Sequence, residues 1–388
     1  TYAFSAFLDH FIRDLDLSRS AVSTLYTVGT LAASLVLPFV GRRFDRHGAR
    51  IMITLASLLL GLACIYMSFV RNAVMLVIGF FMLRQFGQGS LSLISKNVIN
   101  LWWVRRRGRM MGFVGVFGAL LGGLFPYLIN SLIPTYGWRW TYVILGLTVM
   151  GVMIPVGWIF TRNRPEDHGL LPDGEVVEAH APGQSAPLES NWTLAQVMRC
   201  RAFWVTVVGM SSMSALNTGL FFHIFSVFQD SGLASTVAAS VFVPIATTGA
   251  LMQLIAGLLV GRIHLRVLLA FALLMEAVVL VAATRLTSEP LAYVFGIVWG
   301  IQGGVELLVM SVIFANYFGR QHLGAIAGFA STLLVAASAL GPMPIGVARD
   351  LLGGYETVLS GSAVVPLALA LACLLFGKPP ANPPTETE

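Results

Sequence analysis

The chain has 388 residues, of which 56% are hydrophobic and only 11% are charged. Soluble globular domains carry about 25% charged residues, so water alone cannot solvate a chain this apolar, and we expect lipid around it. The formal net charge is +6, and most of the basic residues lie between apolar runs. Lys and Arg in such places orient membrane proteins, and they give no reason to expect a nucleic-acid partner.

The chain opens with an apolar stretch that is too short to cross a bilayer. TYAFSAFL is followed closely by charged residues, whereas a spanning helix needs roughly 20 apolar residues. We expect the end of a first span whose N-terminal part lies outside this sequence, because a secretory signal would show a basic leader. Eleven longer runs bring the prediction to twelve transmembrane helices, the first truncated, in an all-α membrane protein. The expected bounds are 20–40, 51–70, 73–101, 110–133, 138–160, 202–229, 235–260, 266–284, 290–315, 323–347 and 357–377.

A charged island, GRRFDRHGAR at residues 41–50, separates the second and third predicted spans. Placing it in the cytoplasm puts 16 of the 24 Lys and Arg residues on the cytoplasmic side and six on the other. This asymmetry predicts cytoplasmic N- and C-termini. Gly41 and Gly48 favour a tight turn and a close approach of helices. From these residues alone, Asp45 only reduces the positive charge of the loop.

The fourth predicted span carries an arginine, in LRQFGQGSLSLISKN. An ionisable residue at the bilayer centre costs about 2.5–3.5 kcal/mol on insertion scales, so Arg84 is a functional candidate. Gln88 lies four residues later on the same helical stripe. A planar guanidinium suits a carboxylate, which makes Arg84 a candidate anion anchor. The alternative is a structural brace to backbone carbonyls of the first span. Tyr127, in the fifth span, is expected to reach the cavity wall.

A polar, acidic stretch follows the sixth predicted span. It predicts an N-terminal six-helix bundle at 1–160, a cytoplasmic linker at 161–199, a C-terminal six-helix bundle at 200–378 and a cytoplasmic tail at 379–388. The two bundles repeat each other, because GFVGVFGALLGGLFP aligns with GFASTLLVAASALGP in a frame that also pairs Gly137 with Gly353. Two parallel six-span repeats are typical of transporters that bind substrate near the bilayer midplane.

Polar residues also mark spans of the second half. Asn217 and His223 lie in the seventh span, and Gln302 and Glu306 are four residues apart in the tenth, which is the repeat-mate of the fourth. Glu306 is the main candidate for proton coupling; the alternative is a neutral, buried glutamic acid bonded to backbone. His223 is a second candidate, since imidazole changes charge near neutral pH, although a lone intramembrane histidine also suits a bond to a neighbouring helix. Glu276 in the ninth span is expected to have a packing or interfacial role.

The loop between spans two and three completes the pattern G-x-x-x-D-R-x-G-x-R with Gly41, Asp45, Arg46, Gly48 and Arg50. This pattern resembles the signature loop of the major facilitator superfamily, and the duplicated twelve-span organisation extends the resemblance over essentially the whole chain. The resemblance implies that these five residues gate the cytoplasmic side. It places Asp45 at the start of span eleven, near GAIAGF, with Arg50 as ionic partner. The second-half copy of the loop lacks the acid.

Three further segments, LWWVRRRGRMMG, RPEDHGLLPDG and YFGRQHLGAIAG, resemble a bacterial branch near the monocarboxylate and oxalate/formate-type carriers. The resemblance implies a multi-pass protein of the bacterial inner membrane. We expect a secondary transporter that works by alternating access and takes up a small organic anion, such as a monocarboxylate, with a proton. Arg84 is expected to anchor the carboxylate and Glu306 to carry the proton. Neutral contacts are assigned to Gln88, Tyr127, Asn217 and Gln302.

Two other functions stay open. One is a proton-driven efflux antiporter for drugs or metabolites; the other is a membrane sensor that binds a ligand without transporting it. The sequence has no nucleophile elbow and no phosphate-cradling Gly-Lys-Ser/Thr loop, so we do not expect an enzyme. The three cysteines lack metal-ligand spacing, so we expect no metal or cofactor. The expected partners of this functional monomer are the substrate, a proton and the lipid bilayer.

Overall fold

A computed structural model of the chain describes residues 2–174 and 191–380. Inside these ranges the description leaves out the side chains of residues 2–6, 8, 9, 19, 20, 122–124, 126, 127 and 130. The predicted linker and tail therefore fall partly outside the described chain, at 175–190 and 381–388.

The described ranges are built almost entirely of helices and contain no named β-strand. The fourth predicted span is a composite, in which a π-helical segment, Arg84–Leu91, joins two α-helices. The α-helices are α1 Tyr2–Leu15, α2 Arg19–Ser68, α3 Ala73–Leu83, α4 Ser92–Trp102, α5 Arg107–Phe160, α6 Leu194–Met198, α7 Arg201–Asp230, α8 Ser235–Ser240, α9 Phe242–Leu259, α10 Leu265–Ala283, α11 Glu289–Phe318, α12 Leu323–Leu340, α13 Pro342–Leu352, α14 Glu356–Ser362 and α15 Val364–Phe376. Two short 3₁₀ turns, Glu166–His168 and Pro172–Gly174, follow α5.

Two of these helices are long enough for two spans each. Helix α2 has 50 residues and α5 has 54, whereas about 20 residues cross the hydrocarbon core. Helix α2 breaks at Gly48, with φ 80° and ψ 173°, and α5 breaks at Gly137, with φ 76° and ψ 159°. Glycine adopts positive φ without steric cost. The breaks fall where the sequence predicts loops between consecutive spans.

The sequence repeat has a counterpart in the backbone. Gly137 and Gly353, which the repeat pairs, both have φ 76°. Gly353 follows α13 as a left-handed C-cap, and its N–H donates to the carbonyl of Arg349. A positive φ therefore recurs at matching places in the two halves, although ψ is 159° at Gly137 and 8° at Gly353.

Nine helical segments of the described chain are long and apolar enough to cross a membrane. They are Ala21–Ser68, Ala73–Trp102, Ser131–Phe160, Arg201–Asp230, Ser235–Leu259, Leu265–Ala283, Glu289–Phe318, Leu323–Leu352 and Glu356–Phe376. Large apolar side chains such as Leu35, Phe117 and Leu351 are exposed, which suits contact with lipid. The prediction of an all-α membrane protein is confirmed. A twelve-span count is consistent with these nine segments, because the first of them divides at Gly48, and the truncated first span and the span 110–133 correspond to α1 and to the first part of α5.

The helices form two compact units. The first comprises Thr1–Trp102, Leu120–Gln184 and His322–Thr332, and the second comprises Trp103–Ala119, Ser185–Gln321 and Leu333–Glu388. Aromatic rings fill part of the first core, where Phe11 packs edge-to-face on Trp138 with centroids 5.2 Å apart. In the second core Phe295 packs on Trp299 at 5.5 Å. The division of the sequence at the linker, 161–199, stays a prediction.

Candidate functional site

Asp45 makes an unusual contact near the end of the first segment of α2. Its Oδ1 accepts a hydrogen bond from the backbone N–H of Gly324, and its Oδ2 accepts one from Ala325, each at 2.8 Å. Both donors lie in the first turn of α12. N–H groups in the first turn of a helix have no partner inside the helix, and a carboxylate there also interacts favourably with the helix dipole. Asp45 therefore holds α2 against the N-terminus of α12 inside the first unit.

Glycines allow the two backbones to touch at this contact. A Cβ atom on Gly41 would overlap the carbonyl group of Gly324, and a Cβ on Gly328 would lie 2.6 Å from the carbonyl oxygen of Leu37. Helix α2 and helix α12 are further joined by the hydroxyl of Thr332, which donates to the carbonyl of Ser34 at 2.8 Å. The crossing is thus set by backbone contact and by hydrogen bonds to backbone.

Arg50 does not form the ion pair with Asp45 that the family resemblance implies. Its Nε donates to the carbonyl of Trp158 at 2.7 Å, and its guanidinium lies 4.3 Å from the centroid of that ring. The helix breaks at Gly48, between Asp45 and Arg50, and the segment that carries Arg50 packs against the end of α5. The cation whose charge acts on Asp45 is Arg164. Arg46, the remaining member of the predicted gating set, is exposed.

A second glycine crossing lies in the second unit, between α5 and α9. Cβ atoms on Gly108 or Gly257 would overlap the backbone of the other residue. The buried side chain of Gln253 donates from Nε2 to the carbonyl of Met111 at 3.2 Å. Gln253 was not predicted from the sequence, although its place one turn before Gly257 was the available signal. In the sequence repeat Leu265 occupies the position that corresponds to Asp45. This second crossing therefore has no carboxylate at that position, and the amide of Gln253 takes part in the crossing.

Arg84 begins the π-helical segment, which includes Gln88. The guanidinium of Arg84 lies 5.2 Å from the centroid of the Tyr26 ring, within the range of a cation–π interaction. Its Nη1 atom is buried and makes no hydrogen bond within the described part of the chain. π-helical turns occur frequently at functional sites. An unpaired guanidinium N–H in a buried place is a donor that an anionic ligand would satisfy.

Three of the predicted polar residues come together in the second unit. Asn217 on α7 donates from Nδ2 to Oε2 of Glu306 at 2.8 Å, and Gln302 donates to the same oxygen at 3.0 Å. Gln302 is fully buried, and the residue exposure of Glu306 is 8%. The spacing of four residues between Gln302 and Glu306 on α11 accounts for their common face. We call Asn217, Gln302 and Glu306 the amide–carboxyl cluster.

Trp299 lies beside this cluster and was not predicted from the sequence. Its indole Nε1 donates to Oδ1 of Asn217 at 2.7 Å, which fixes the orientation of the amide so that Nδ2 points at Glu306. Trp299 precedes Gln302 by three residues and Glu306 by seven, so the helical period of α11 was the signal that placed it on the same face.

The structure places His223 in a different group of hydrogen bonds. Its Nε2 lies 3.1 Å from the carbonyl oxygen of Pro342, and its Nδ1 lies 3.1 Å from the hydroxyl of Tyr355. A carbonyl only accepts, so Nε2 carries a hydrogen, and the hydroxyl of Tyr355 can donate to Nδ1 or accept from it. Both ring nitrogens of His223 therefore have partners, as in a structural link between α7 and the chain around α13. Its predicted part in proton coupling stays a prediction.

Gln88 and Tyr127 are the two other residues predicted to contact the substrate. Gln88 is exposed. Tyr127 lies in α5, but its side chain lies outside the description.

These features define a polytopic α-helical membrane protein with ionisable groups buried inside its spans and with helices that cross at glycines. The sequence model of the Major Facilitator Superfamily matches residues 1–342. The chain belongs to the Major Facilitator Superfamily, as its signature loop indicates.

Curated relatives are similar over part or most of the chain. A probable L-galactonate transporter of Escherichia coli K12 is 27% identical over 213 residues, which cover 52% of this chain and 44% of that protein. The aspyridones efflux protein apdF of Emericella nidulans is 23% identical over 380 residues, which cover 94% of this chain and 71% of that protein. The chain thus matches less than half the length of the first of these relatives. Both names are those of transporters.

Solved structures share the fold at low identity. The crystal structure of the E. coli fucose:proton symporter FucP superposes with a TM-score of 0.71 at 12% identity, over 97% of this chain and 95% of that chain. At this identity the likeness concerns the fold alone.

Proposed function

We propose that this chain is a secondary active transporter that works by alternating access and takes up a small organic anion together with a proton. The observation that carries the proposal is the buried Nη1 of Arg84, which has no hydrogen-bond partner in the described chain. An unsatisfied buried donor on a fixed positive charge is costly, and a carboxylate removes that cost with charge-assisted hydrogen bonds. The name of one relative, a probable L-galactonate transporter, supports an organic anion as substrate.

In this proposal Arg84 binds the carboxylate of the substrate. Neutral contacts come from Gln88 and Tyr127 in the first half of the sequence and from Asn217 and Gln302 in the second. A planar guanidinium offers two parallel N–H donors, whereas a lysine offers a point charge, so the choice of arginine favours a carboxylate over an uncharged solute.

Glu306 carries the coupled proton in this proposal. It is buried in an apolar span, it receives N–H donors on Oε2, and no ion pair to it is formed among the described residues. A carboxyl group in this position can be neutral or ionised with modest rearrangement, as a proton carrier requires. The symport of fucose and a proton by a protein of the same fold supports proton coupling. We place the protein in the bacterial inner membrane with cytoplasmic termini.

Asp45 is assigned a gating role on the cytoplasmic side, together with Gly41, Arg46, Gly48 and Arg50. The two hydrogen bonds from the first turn of α12 to Asp45 are lost if α2 and α12 separate, so this contact stabilises one state of the transport cycle relative to the other.

Proteoliposomes test the proposal directly. L-galactonate, lactate and sulfoacetate are added outside liposomes that contain the protein, and a pH electrode follows the bath. Uptake of an anion with a proton makes the bath alkaline, and Arg84→Lys reduces this signal strongly, whereas Arg71→Lys, at an exposed position, leaves it unchanged. An unchanged bath pH with all three acids contradicts the proposal.

Efflux is the second candidate, because the aspyridones efflux protein matches 94% of this chain. A proton-driven exporter would release a dye such as ethidium from preloaded liposomes when the bath is acidified, and it would leave the bath pH unaffected by the acids. Binding of an acid without any flux would instead favour the membrane sensor.

A further inference from the structure

An open cavity lies at one end of the second unit, where α7 begins and α15 ends. It has a volume of about 410 Å³ and is lined by Arg199, Arg201, Trp204, Val205 and Phe376. Sites for small molecules have volumes of about 300–1,000 Å³, so this cavity has room for the headgroup of a lipid. Its lining includes none of the residues predicted to bind substrate, carry the proton or form the gate.

Contacts to backbone carbonyls hold the walls of this cavity together. The indole Nε1 of Trp204 donates to the carbonyl of Met198 at 2.7 Å, and this bond joins α7 to the end of α6, directly before Arg199. The thiol of Cys373 on α15 lies 3.9 Å from the carbonyl oxygen of Val205 on α7. The cavity is therefore formed by three helices whose positions are fixed relative to one another.

Arg199 and Arg201 give the cavity a positive charge. Both residues are exposed, and neither guanidinium forms an ion pair with another described residue. The lining that the structure describes contains no acidic side chain. A guanidinium is planar and presents parallel N–H donors, which match two oxygens of a phosphate group. The polar part of the cavity therefore suits a phosphate.

Exposed apolar side chains continue from the cavity along both helices. Val208 lies one turn after Trp204 on α7 and is exposed, and Leu371 and Leu375 on α15 are exposed before Phe376. Tryptophan is enriched where the hydrocarbon core meets the headgroups, and exposed apolar surface on a spanning helix suits contact with acyl chains. A ligand that uses both parts of this surface has a phosphate and acyl chains, whereas a free phosphate would use the arginines alone.

We propose that this cavity binds the headgroup of an anionic phospholipid of the surrounding bilayer. The phosphate contacts Arg199 and Arg201, and the acyl chains lie along the exposed apolar sides of α7 and α15. With the proposed orientation of the termini, the lipid belongs to the cytoplasmic leaflet. The inference is independent of the proposed solute, because the cavity lies at the membrane surface and the same lipid would bind to an importer, an exporter or a sensor.

Native mass spectrometry of the purified protein in detergent tests this site. Phosphatidylglycerol and phosphatidylcholine with the same acyl chains are titrated separately, and we expect tighter binding of phosphatidylglycerol. Arg199→Gln and Arg201→Gln should each weaken that binding about fivefold, since a basic residue near anionic lipid contributes about 1 kcal/mol. Arg201→Lys keeps the charge and should lose less than Arg201→Gln. Arg262→Gln is the matched control, because Arg262 is an exposed arginine in the turn between α9 and α10.

Three results of this titration would overturn the lipid site. They are equal binding of the two lipids by the wild type, unaltered binding of phosphatidylglycerol in both Arg→Gln variants, and an equal loss in Arg262→Gln. A further arm adds excess inorganic phosphate to the complex with phosphatidylglycerol, and we expect the lipid to stay bound. Displacement of the lipid by inorganic phosphate would assign the cavity to a free phosphate and would also contradict the proposal.

Discussion

Arg84 combines a cation–π contact with Tyr26 and a buried Nη1 that has no partner in the described chain. We expect Arg84→Lys to weaken the binding of L-galactonate about 10- to 100-fold. Lysine keeps the charge but loses one of two parallel hydrogen bonds, and a hydrogen bond to a charged group contributes about 1.5–3 kcal/mol, where 1.4 kcal/mol is tenfold. Isothermal titration calorimetry of the protein in detergent measures this change.

Arg71→Lys is the matched control for Arg84, because Arg71 is an exposed arginine just before α3. Equal affinities of wild type and Arg84→Lys would show that Arg84 is a structural brace.

Asp14 gives a prediction about pH. The indole Nε1 of Trp138 donates to Oδ2 of Asp14 at 2.7 Å, and this hydrogen bond is the main cause that holds the pKa of Asp14 below its ordinary value of 3.8. A lowered pKa in the folded state stabilises the protein at pH above the unfolded value, and the contribution is lost as pH falls through the folded value.

Trp138→Phe should therefore lower the midpoint of thermal unfolding near neutral pH by more than it does below about pH 4, where Asp14 is protonated in the unfolded chain. The effect is small because Asp14 is exposed. The protein with Asp14→Asn serves as the control. In that protein Trp138→Phe should lower the midpoint of thermal unfolding by the same amount near neutral pH and below about pH 4. A loss of stability that is equal at all pH values would assign the whole effect to ring packing.

At the residue scale the sequence located much of the candidate site. The period of α11 brought Gln302 and Glu306 to one face, and a cost argument singled out Arg84. The sequence did not show that the side chain of Glu276 is buried. Because α10 is apolar on all sides, its hydrophobic period does not indicate which side of the helix faces the protein interior. Only the helices packed around α10 decide which side is buried.

The crossing of α2 and α12 gives a prediction at the scale of the element. Asn in place of Asp45 keeps one acceptor oxygen but loses the charge that interacts with the N-terminus of α12, which contributes about 0.3–1 kcal/mol and up to about 2 kcal/mol when partly buried. We expect Asp45→Asn to increase the population in which α2 and α12 are apart, by up to roughly 30-fold.

Spin labels at Arg42 and His322 report this separation, because pulsed electron resonance gives the distribution of distances between them. Asp45→Asn should add a longer component to the distribution. Asp16→Asn is a suitable control, since Asp16 is an exposed acid of the same unit. A distribution that Asp45→Asn leaves unaltered would show that the carboxylate does not hold the crossing.

Element boundaries could be predicted only in part. The run 41–50 was expected to be a loop, but the helix continues to the break at Gly48, since a single positive φ is enough to separate two spans. The π-helical segment was also not expected. Gly87 and Gly89 weaken the α-helix there, but the sequence alone does not show that the hydrogen-bond pattern changes.

Coupling belongs to the whole molecule. With a pH gradient of about one unit, a symporter of one proton and one monovalent anion accumulates its substrate up to about tenfold, because one unit is worth about 1.36 kcal/mol per proton. Glu306→Gln should abolish this accumulation and retain exchange of L-galactonate across the membrane. Uptake of radiolabelled L-galactonate into proteoliposomes measures both.

Glu306→Asp and Glu289→Gln complete that experiment. The first restores a carboxyl group and should recover part of the accumulation, and the second removes an exposed acid of the same helix and should have no effect. Full accumulation by Glu306→Gln would mean that the proton travels by another group.

The class of the molecule followed from composition and repetition, because few charges over 388 residues leave lipid as the only adequate solvent. The family followed from one short loop together with the duplicated twelve-span organisation. The substrate did not follow, because it depends on how a few polar side chains are arranged, and spacing along a helix fixes their face but not their distances.

The glycine crossings have a consequence for the thermodynamics of movement. Where α2 meets α12 at Gly41 and Gly324, and where α5 meets α9 at Gly108 and Gly257, backbone lies against backbone. Glycine has no side-chain rotamers to immobilise when such a surface forms, and none to release when it parts. The entropy change on parting is then small, so two arrangements of the helices can lie close in free energy and interconvert at ordinary temperature.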